Sequence, residues 1–265
     1  MSKGELMLHC NAYPITYEEL KRLSREHCKP LTPTHCPMPH WFVRDLVVKE
    51  VEREGTYEII NEEIGVSHKE KNAFGYLELM LKKPIYEEHE DSTLVYAFKN
   101  SNRRDFKATV GLGDKVFICD NLSLVAEWIV GAKHTKNVNN TLSERLYYLN
   151  KSLADNGKRL NDLITTLKSH IIGNKLADHL MVECVRKGAI TKTKIDKIDK
   201  EWRKPSYQYT FNHSSAWALF NAVTHKNKGL NYSDQFSRTM KLYKVFENYF
   251  KDENGATRQV WKERI

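Results

Sequence analysis

One stretch of the sequence could hold a catalytic cysteine. Cys119 ends an apolar run, and with Asn121 and His134 it could form a thiol nucleophile, an orienting amide and a base. No signature of a cysteine-enzyme family surrounds it, and a cysteine at the end of a strand is more often a small core residue. We expect the polar pair 120–121 to end the strand and to cap a helix from Leu122. No catalytic residue is assigned, and a cysteine enzyme stays an alternative to a non-enzymatic protein.

A second set of residues could bind metal. His-Cys pairs recur at residues 9–10, 27–28 and 35–36, and His40 follows them. Zinc takes four nitrogen or sulfur ligands in a tetrahedron. The zinc ligands that this pattern predicts are Cys10, Cys28, Cys36 and His40. The tight cysteine spacing of zinc knuckles is missing, so the alternative is a loop of ordinary histidines and free thiols. Zinc apart, the sequence predicts no cofactor.

Basic residues lie beside aromatic ones in three segments, 100–107, 132–137 and 191–209. Phosphates attract positive charge, and unpaired bases stack on aromatic rings. The predicted nucleic-acid-binding residues are Arg103, Arg104, Lys107, Lys133, Lys136, Lys192, Lys194, Lys197, Trp202, Arg203, Lys204 and Tyr207. The third segment has an equally simple alternative, a solvated helix in which Asp196 pairs with Lys192 and Lys200 at i,i+4 spacing.

The formal net charge of +8 is unevenly distributed over the 265 residues. Residues 1–132 hold 17 Lys and Arg against 21 Asp and Glu, whereas residues 133–265 hold 25 against 13. A basic half suggests a phosphate-rich partner, and the alternative is a lysine-rich solvated surface. No P-loop, dinucleotide-binding or HExxH motif is present in the sequence, which weakens those enzyme classes.

The cellular location follows from composition. Five cysteines, an odd number at long spacings, indicate free thiols of a reducing compartment. The sequence contains no run of 18 or more apolar residues and no apolar signal core at its N-terminus. We therefore expect a cytoplasmic protein without a membrane partner.

The period of the hydrophobic pattern changes along the chain. Residues 15–27 and 40–55 have helical spacing, with Gly55 as the stop of the second helix. Residues 56–121 alternate like a four-stranded antiparallel meander, and residues 122–134 fit a short helix or a further strand. Beyond them the pattern is helical. The sequence predicts an α+β fold, with a small antiparallel meander in the N-terminal half and a mostly helical C-terminal half.

Four parts of the chain can be distinguished on this basis. We expect an irregular N-terminal extension (1–36), a sheet-containing part (37–138), a helical part of the same domain (139–251) and a flexible tail (252–265).

A leucine seam is the sharpest periodic feature. Positions 142, 146, 149, 153, 156, 160, 163, 167 and 170 recur in steps of four and three, and seven of them are leucine. One interpretation is a continuous helix that packs against a second copy, with Asn156 setting the register. Another is a helical hairpin broken at residues 155–157, and a third is a helix packed inside its own domain. The first interpretation predicts a homo-oligomer through residues 142–170.

Several blocks resemble one protein family. They are PMPHWFVRDLV, EIINEEIGVSHKEKNAFGYLEL, DKVFICDNL, KHTKN and AWALFNAVTHK, spread over roughly residues 37–250. With these blocks the chain resembles the phage/plasmid-like family of domain of unknown function nine-three-two. The resemblance implies a protein of a phage, plasmid or related element in the host cytoplasm. It implies no activity and transfers no catalytic residue.

Two functions follow as hypotheses. The first is a non-enzymatic, oligomeric nucleic-acid-binding protein of a mobile element, acting on single-stranded DNA in recombination or replication. The alternative is a phage factor that binds and inhibits a host defence protein. A basic surface that binds nucleic acid would favour the first.

Overall fold

The computed structural model describes residues 12–67, 71–116, 121–228, 230 and 232–250. Within them an antiparallel sheet has its strands in chain order, each paired with the next. The strands are β1 (Tyr13–Ile15), β2 (Tyr57–Ser67), β3 (Asn72–Leu81), β4 (Ser92–Ser101), β5 (Ala108–Val116) and β6 (Asn121–Ala132). The helices are α1 (Tyr17–His27), α2 (His40–Glu54), α3 (Val138–Lys151), α4 (Leu153–Ser169), α5 (Asn174–Arg186), α6 (Ile195–Arg203), α7 (Ala216–Asn227) and α8 (Tyr232–Phe250), with a 3₁₀ turn (Lys192–Lys194) before α6. The α+β fold that the sequence predicts is confirmed.

The sheet is wider than the predicted meander. β1 joins one side, and β6 joins the other by pairing Val130 with Val110 and Ala132 with Ala108. Asn121 therefore begins a strand, and the predicted helix from Leu122 is wrong. β6 pairs along β5 because its apolar residues, among them the fully buried Leu124, complete the buried surface of the sheet.

The two faces of the sheet bury different sets of side chains. The larger core contains Tyr96 and Phe98 of β4 and packs them with residues of α2, α3 and α4. The alternate residues of β4, Val95 and Ala97, lie in a smaller cluster that Met240 of α8 also contacts. Successive side chains of a strand point to opposite faces, so both faces of β4 are buried.

The outer edge of β2 is only partly covered. β1 pairs with Ile64–Val66, at the second half of β2. Among the described residues no strand pairs with the first half of β2 on its outer side. On its inner side the register against β3 shifts between Ile59 and Asn61.

The leucine seam lies inside the chain. It is divided between α3 and α4, which meet at Ser152, so neither an unbroken helix nor a break at 155–157 is present. Leu142, Leu146, Leu153 and Leu167 are fully buried in the larger core. The seam therefore packs against the protein's own sheet and helices, as in the third interpretation, and the homo-oligomer through residues 142–170 stays a prediction that the seam does not support.

Gly157 explains why the turn triplet does not break α4. A Cβ atom at this position would overlap Tyr57 Oη and would lie 2.9 Å from Tyr86 Oη. These two hydroxyl groups are hydrogen-bonded to each other at 2.8 Å. The glycine is required by a close approach between α4 and the sheet, and not by a turn.

Two helix ends follow the sequence pattern closely. α2 stops at Gly55, whose φ of 84° is left-handed and whose N–H donates to Val51 O at 3.0 Å. α7 starts at Ser215, whose Oγ accepts a hydrogen bond from Ala218 N at 3.1 Å. At its other end α2 begins at His40, which is buried against the end of β4.

Candidate anion-binding site

A cavity of about 470 Å³ lies at one end of the sheet. Three separate segments form it: the proline-rich segment before α2, the β4–β5 turn and the link from β6 to α3. The residues that line it are Thr34, His35, Arg104, Phe106, Lys107, Lys133, His134 and Thr135. Its volume is in the range of ordinary ligand sites.

The β4–β5 turn is held by a buried serine. Ser101 Oγ accepts hydrogen bonds from the backbone N–H groups of Arg103 at 3.2 Å and Asp105 at 3.1 Å. Arg104, between them, has a left-handed backbone with φ 67°. A left-handed arginine is unusual, since a side chain with a Cβ is disfavoured there. The turn thereby places Arg104, Phe106 and Lys107 along one wall.

The other two walls are tied to each other. The backbone N–H of Cys36 donates to His134 O at 3.0 Å and joins the proline-rich segment to the β6–α3 link. In that link, Thr135 N donates to Lys133 O at 2.8 Å. The bond between the segments fixes how far apart His35 and His134 are, with ring centroids separated by 5.7 Å.

Asn100 is buried behind the cavity lining and contacts His134, which belongs to that lining. Its Nδ2 donates to Met38 O at 2.8 Å and lies 2.9 Å from His40 Nδ1. Since a carbonyl can only accept, the amide orientation is fixed, and Oδ1 is the atom that lies 2.8 Å from His134 Nε2. His134 must then donate from Nε2, and in the neutral ring its lone pair is on Nδ1. His40 must accept at Nδ1.

The two histidines of the cavity are uncharged at neutral pH. Burial, and next the neighbouring His35, lower the pKa of His134 to about 4. Burial, and next Arg104, lower the pKa of His35. A negative charge placed between them and the cations would favour their protonation.

Positive charge surrounds the opening of the cavity. Arg104, Lys107 and Lys133 are exposed, and no ion pair involves them within the described residues. No aspartate or glutamate is among the described residues that line the cavity. The nearby carboxylate, Asp105, accepts from Asn72 Nδ2 at 2.9 Å and lies 3.4 Å from Arg103 Nε.

A buried lysine adds to this field. Lys99 is 8% exposed, and its Nζ lies 5.0 Å from the centre of the Phe106 ring. Burial, and next Lys107, lower its pKa to about 8. Lys99 is not among the residues that line the cavity, and Asp234 acts on its pKa in the opposite direction.

Three of the predicted nucleic-acid-binding residues meet at this cavity, namely Arg104, Lys107 and Lys133. Arg103 and Lys136 lie beside it in the same two segments and are exposed. The sequence analysis did not assign His35, Phe106 or Asn100 to this site. A signal for the histidine was present, since a His-Thr or Thr-His pair occurs in two of the three segments, at 34–35 and 134–135.

The predicted residues of the third basic segment lie elsewhere, on the 3₁₀ turn, on α6 and just after it, and α6 packs against α7. Lys192, Lys197 and Lys204 are exposed there. Arg203 pairs with Asp199 at 2.9 Å and Lys200 with Asp196 at 2.8 Å, as in the solvated-helix alternative. None of these residues lines the cavity.

Three members of that segment are less accessible than a stacking or phosphate contact needs. Trp202 is 7% exposed and packs in the larger core, so its ring offers no surface for a base. Lys194 Nζ donates to Lys226 O at 2.6 Å. Tyr207 is half-buried, with its ring 5.2 Å from that of His225.

The zinc hypothesis finds no complete ligand set. His40 Nδ1 is engaged by Asn100, and Cys28 and Cys36 are partly buried thiols. Within the described ranges no group of three or more His, Cys, Asp or Glu side chains could hold a metal ion. Cys10 lies outside the described residues, as does Cys119 of the cysteine-enzyme alternative, so both hypotheses stay predictions.

An acidic cavity of about 680 Å³ lies at the opposite end of β4, around the β3–β4 loop. Its charged lining residues are Glu87, Glu88, Glu90, Asp91, Asp162 and Lys168. Asp91 and Lys168 pair at 2.5 Å. The basic and the acidic cavity are therefore separated by the length of a strand.

Comparison with models of protein families, with curated proteins and with solved structures finds no match to this chain. The resemblance to the phage/plasmid-like family therefore rests on the quoted sequence blocks. In the part of the chain that is described, no helix is both long and apolar enough to cross a bilayer.

Proposed function

We propose that the chain is a nucleic-acid-binding protein without enzymatic activity, and that the basic cavity takes a phosphate group of the strand. The observation that carries the proposal is the meeting of Arg104, Lys107 and Lys133 at one cavity with no carboxylate among its described lining residues. Cations that have no ion-pair partner attract phosphate and release counterions when it binds.

Single-stranded nucleic acid is the form that we propose. The cavity is a concave pocket with a partly exposed phenylalanine in its wall, and not a long flat surface. An unpaired nucleotide can turn its phosphate inward and place its base on an aromatic ring, which a base pair in a duplex cannot do. Action in recombination or replication is part of the proposal, and the sequence resemblance supports only the origin of the protein in a phage, plasmid or related element.

The test is fluorescence anisotropy with labelled single-stranded DNA, single-stranded RNA and duplex DNA of one sequence. We expect single strands to bind most tightly, with an affinity that falls at least about tenfold from low to physiological salt. No binding of any strand at low salt would overturn the proposal, and the search would turn to protein partners from the host.

A matched pair of double variants then locates the site. We expect Lys107→Glu with Lys133→Glu to lose at least about tenfold in affinity at physiological salt. Lys83→Glu with Lys175→Glu changes the net charge equally at exposed positions outside the cavity, and it should keep the wild-type affinity. Equal losses in both double variants would show that net charge, and not the cavity, determines binding.

A further inference from the structure

One hydrogen-bond donor in the wall of the basic cavity has no acceptor among the described residues. Leu31 N–H donates to His35 Nδ1 at 3.0 Å, so the proton of the neutral ring is on Nε2. His35 is 3% exposed, and its Nε2 makes no hydrogen bond within the described residues. Buried donors nearly always have a partner, and one that lacks it in a cavity wall indicates a ligand atom.

The shape of the cavity favours the end of a strand over its middle. Three segments line it on the protein side: Thr34 and His35, then Arg104 to Lys107, then Lys133 to Thr135. An internal phosphate continues into sugar on both sides, so the strand needs two ways out of the cavity. A terminal phosphate has one attached sugar and three oxygens that can reach the floor.

The charges favour the same ligand. An internal phosphodiester carries one negative charge, whereas a phosphomonoester carries between one and two near neutral pH, with a second pKa of about 6. The three exposed cations of the lining match the larger charge.

We propose that the ligand of this cavity is a phosphomonoester, either the phosphorylated end of a strand or a nucleoside monophosphate. His35 Nε2 donates to one of its terminal oxygens, and Lys107 and Lys133 neutralise its charge. This inference rests on the proposed function, because it specifies which phosphate of a nucleic acid enters the site.

The experiment compares one oligonucleotide in three forms, with a 5′-phosphate, with a 3′-phosphate and with hydroxyl groups at both ends. An internal dye reports anisotropy in each case. We expect one phosphorylated form to bind at least about tenfold tighter than the hydroxyl form. Competition with adenosine monophosphate distinguishes a free nucleotide from a strand end as the ligand. If the mononucleotide displaces the oligonucleotide at a similar concentration, the site is assigned to free nucleotides. If it displaces the oligonucleotide only weakly, the site is assigned to strand ends.

The outcomes separate the two proposals. Equal affinities for all three forms would overturn the phosphomonoester inference and leave nucleic-acid binding in place. Binding of adenosine monophosphate without binding of any strand would support the inference for nucleotides and overturn the proposed function. Absence of binding by every probe would overturn both.

Substitution of His35 tests the donor itself. In His35→Asn the amide oxygen replaces Nδ1 as the acceptor for Leu31 N–H, while the Nε2 donor is lost. We expect the preference for the phosphorylated form to fall toward one. His213→Asn, at an exposed histidine outside the cavity, should keep the wild-type preference. An unchanged preference in a folded His35→Asn protein would contradict the role of this donor. If His35→Asn does not fold, Lys107→Ala is measured in its place, with the same criterion.

Discussion

At the residue scale, a single asparagine determines the chemistry of the basic cavity. Asn100 is fully buried, and its three contacts to Met38 O, His40 and His134 fix which nitrogen of each ring carries a proton. Without that amide the two buried rings would lose the partner that selects their tautomers. The cavity therefore offers a ligand defined donors and acceptors as well as positive charge.

The buried, neutral state of His134 predicts a pH dependence of stability. Its pKa is about 4 in the folded protein, whereas an unfolded chain has the ordinary histidine value near 6.5. Between these values the unfolded chain binds a proton that the folded protein does not. The free energy of unfolding must therefore fall as the pH falls through this window, by at most about 3 kcal/mol.

The variant His134→Gln tests this effect by urea denaturation from pH 7 to pH 4. The glutamine amide can still donate to Asn100 Oδ1 and does not titrate, so stability should decline less steeply toward acid than in the wild type. His179→Gln, at an exposed position, is the control and should keep the wild-type slope. Identical slopes for His134→Gln and the wild type would contradict a neutral, buried His134.

At the element scale, close packing between α4 and the sheet decides the path of the helical half. Leu160, Leu163 and Leu167 of α4 are buried, and Gly157 lets the helix approach Tyr57 of β2 and Tyr86. The heptad spacing was visible in the sequence. What it packs against was not, because the same spacing suits a second copy, a hairpin or the protein's own core.

Gly157→Ala should destabilise the protein, although alanine is the better helix former by about 1 kcal/mol. The added methyl group would overlap Tyr57 Oη, so we expect a net loss of about 2 kcal/mol in chemical denaturation. The double variant with Tyr57→Phe removes the hydroxyl group and should recover part of the loss. A gain in stability from Gly157→Ala alone would show that the helix and the sheet are less tightly packed.

Local features of the fold could be predicted from the sequence, whereas features that depend on distant contacts could not. The ends of α2 and α7 were readable, since Gly55 and Ser215 act on their own turns. The prediction that Trp202 stacks on a base was wrong, because the same local sequence, a tryptophan beside lysines, occurs at exposed and at buried positions. The available signal was helical spacing: Ile198 follows Ile195 by three residues, and Trp202 follows Ile198 by four, which is typical of one buried helix face.

The candidate site could be only half predicted for a related reason. Lys107 and Lys133 were found by their charge, which composition reveals. His35 reaches the same cavity through the Cys36 to His134 hydrogen bond and the end of β6. Contacts between segments that are about a hundred residues apart depend on strand order and register, which local patterns do not encode.

At the scale of the whole molecule, the two cavities give the protein a charged axis. β4 runs from the acidic loop at its start to the basic turn at its end, and its ten residues span about 30 Å. A polyanion would therefore meet the protein with the basic end first, since the acidic end is repelled. The uneven charge of the sequence corresponds only in part to this axis, because basic residues 103–107 lie in the acidic half of the chain.

Salt should separate the effects of the two ends. Replacing Glu87 and Glu90 with Gln should raise the association rate with single-stranded DNA at low salt only. At physiological salt the Debye length is about 8 Å, much shorter than the distance between the ends. Lys133→Ala should weaken binding at both salt concentrations, because its contact with phosphate is direct. Stopped-flow fluorescence measures the association rate of each variant at each salt concentration. If the acidic-loop variant changed this rate as much at physiological salt as at low salt, the result would contradict the separation of the ends.

The half-covered edge of β2 has a consequence for crowded conditions. Open strand edges invite the strands of other molecules, and a protein gathered in many copies on a nucleic acid would be exposed to that risk. The register shift between Ile59 and Asn61 interrupts the regular row of backbone groups, and the exposed Glu58 adds charge beside it, whereas Glu62 is paired with Arg44 at 2.9 Å. Among the described residues an incoming strand therefore finds only a short regular stretch of the β2 edge, which disfavours pairing between the sheets of two copies.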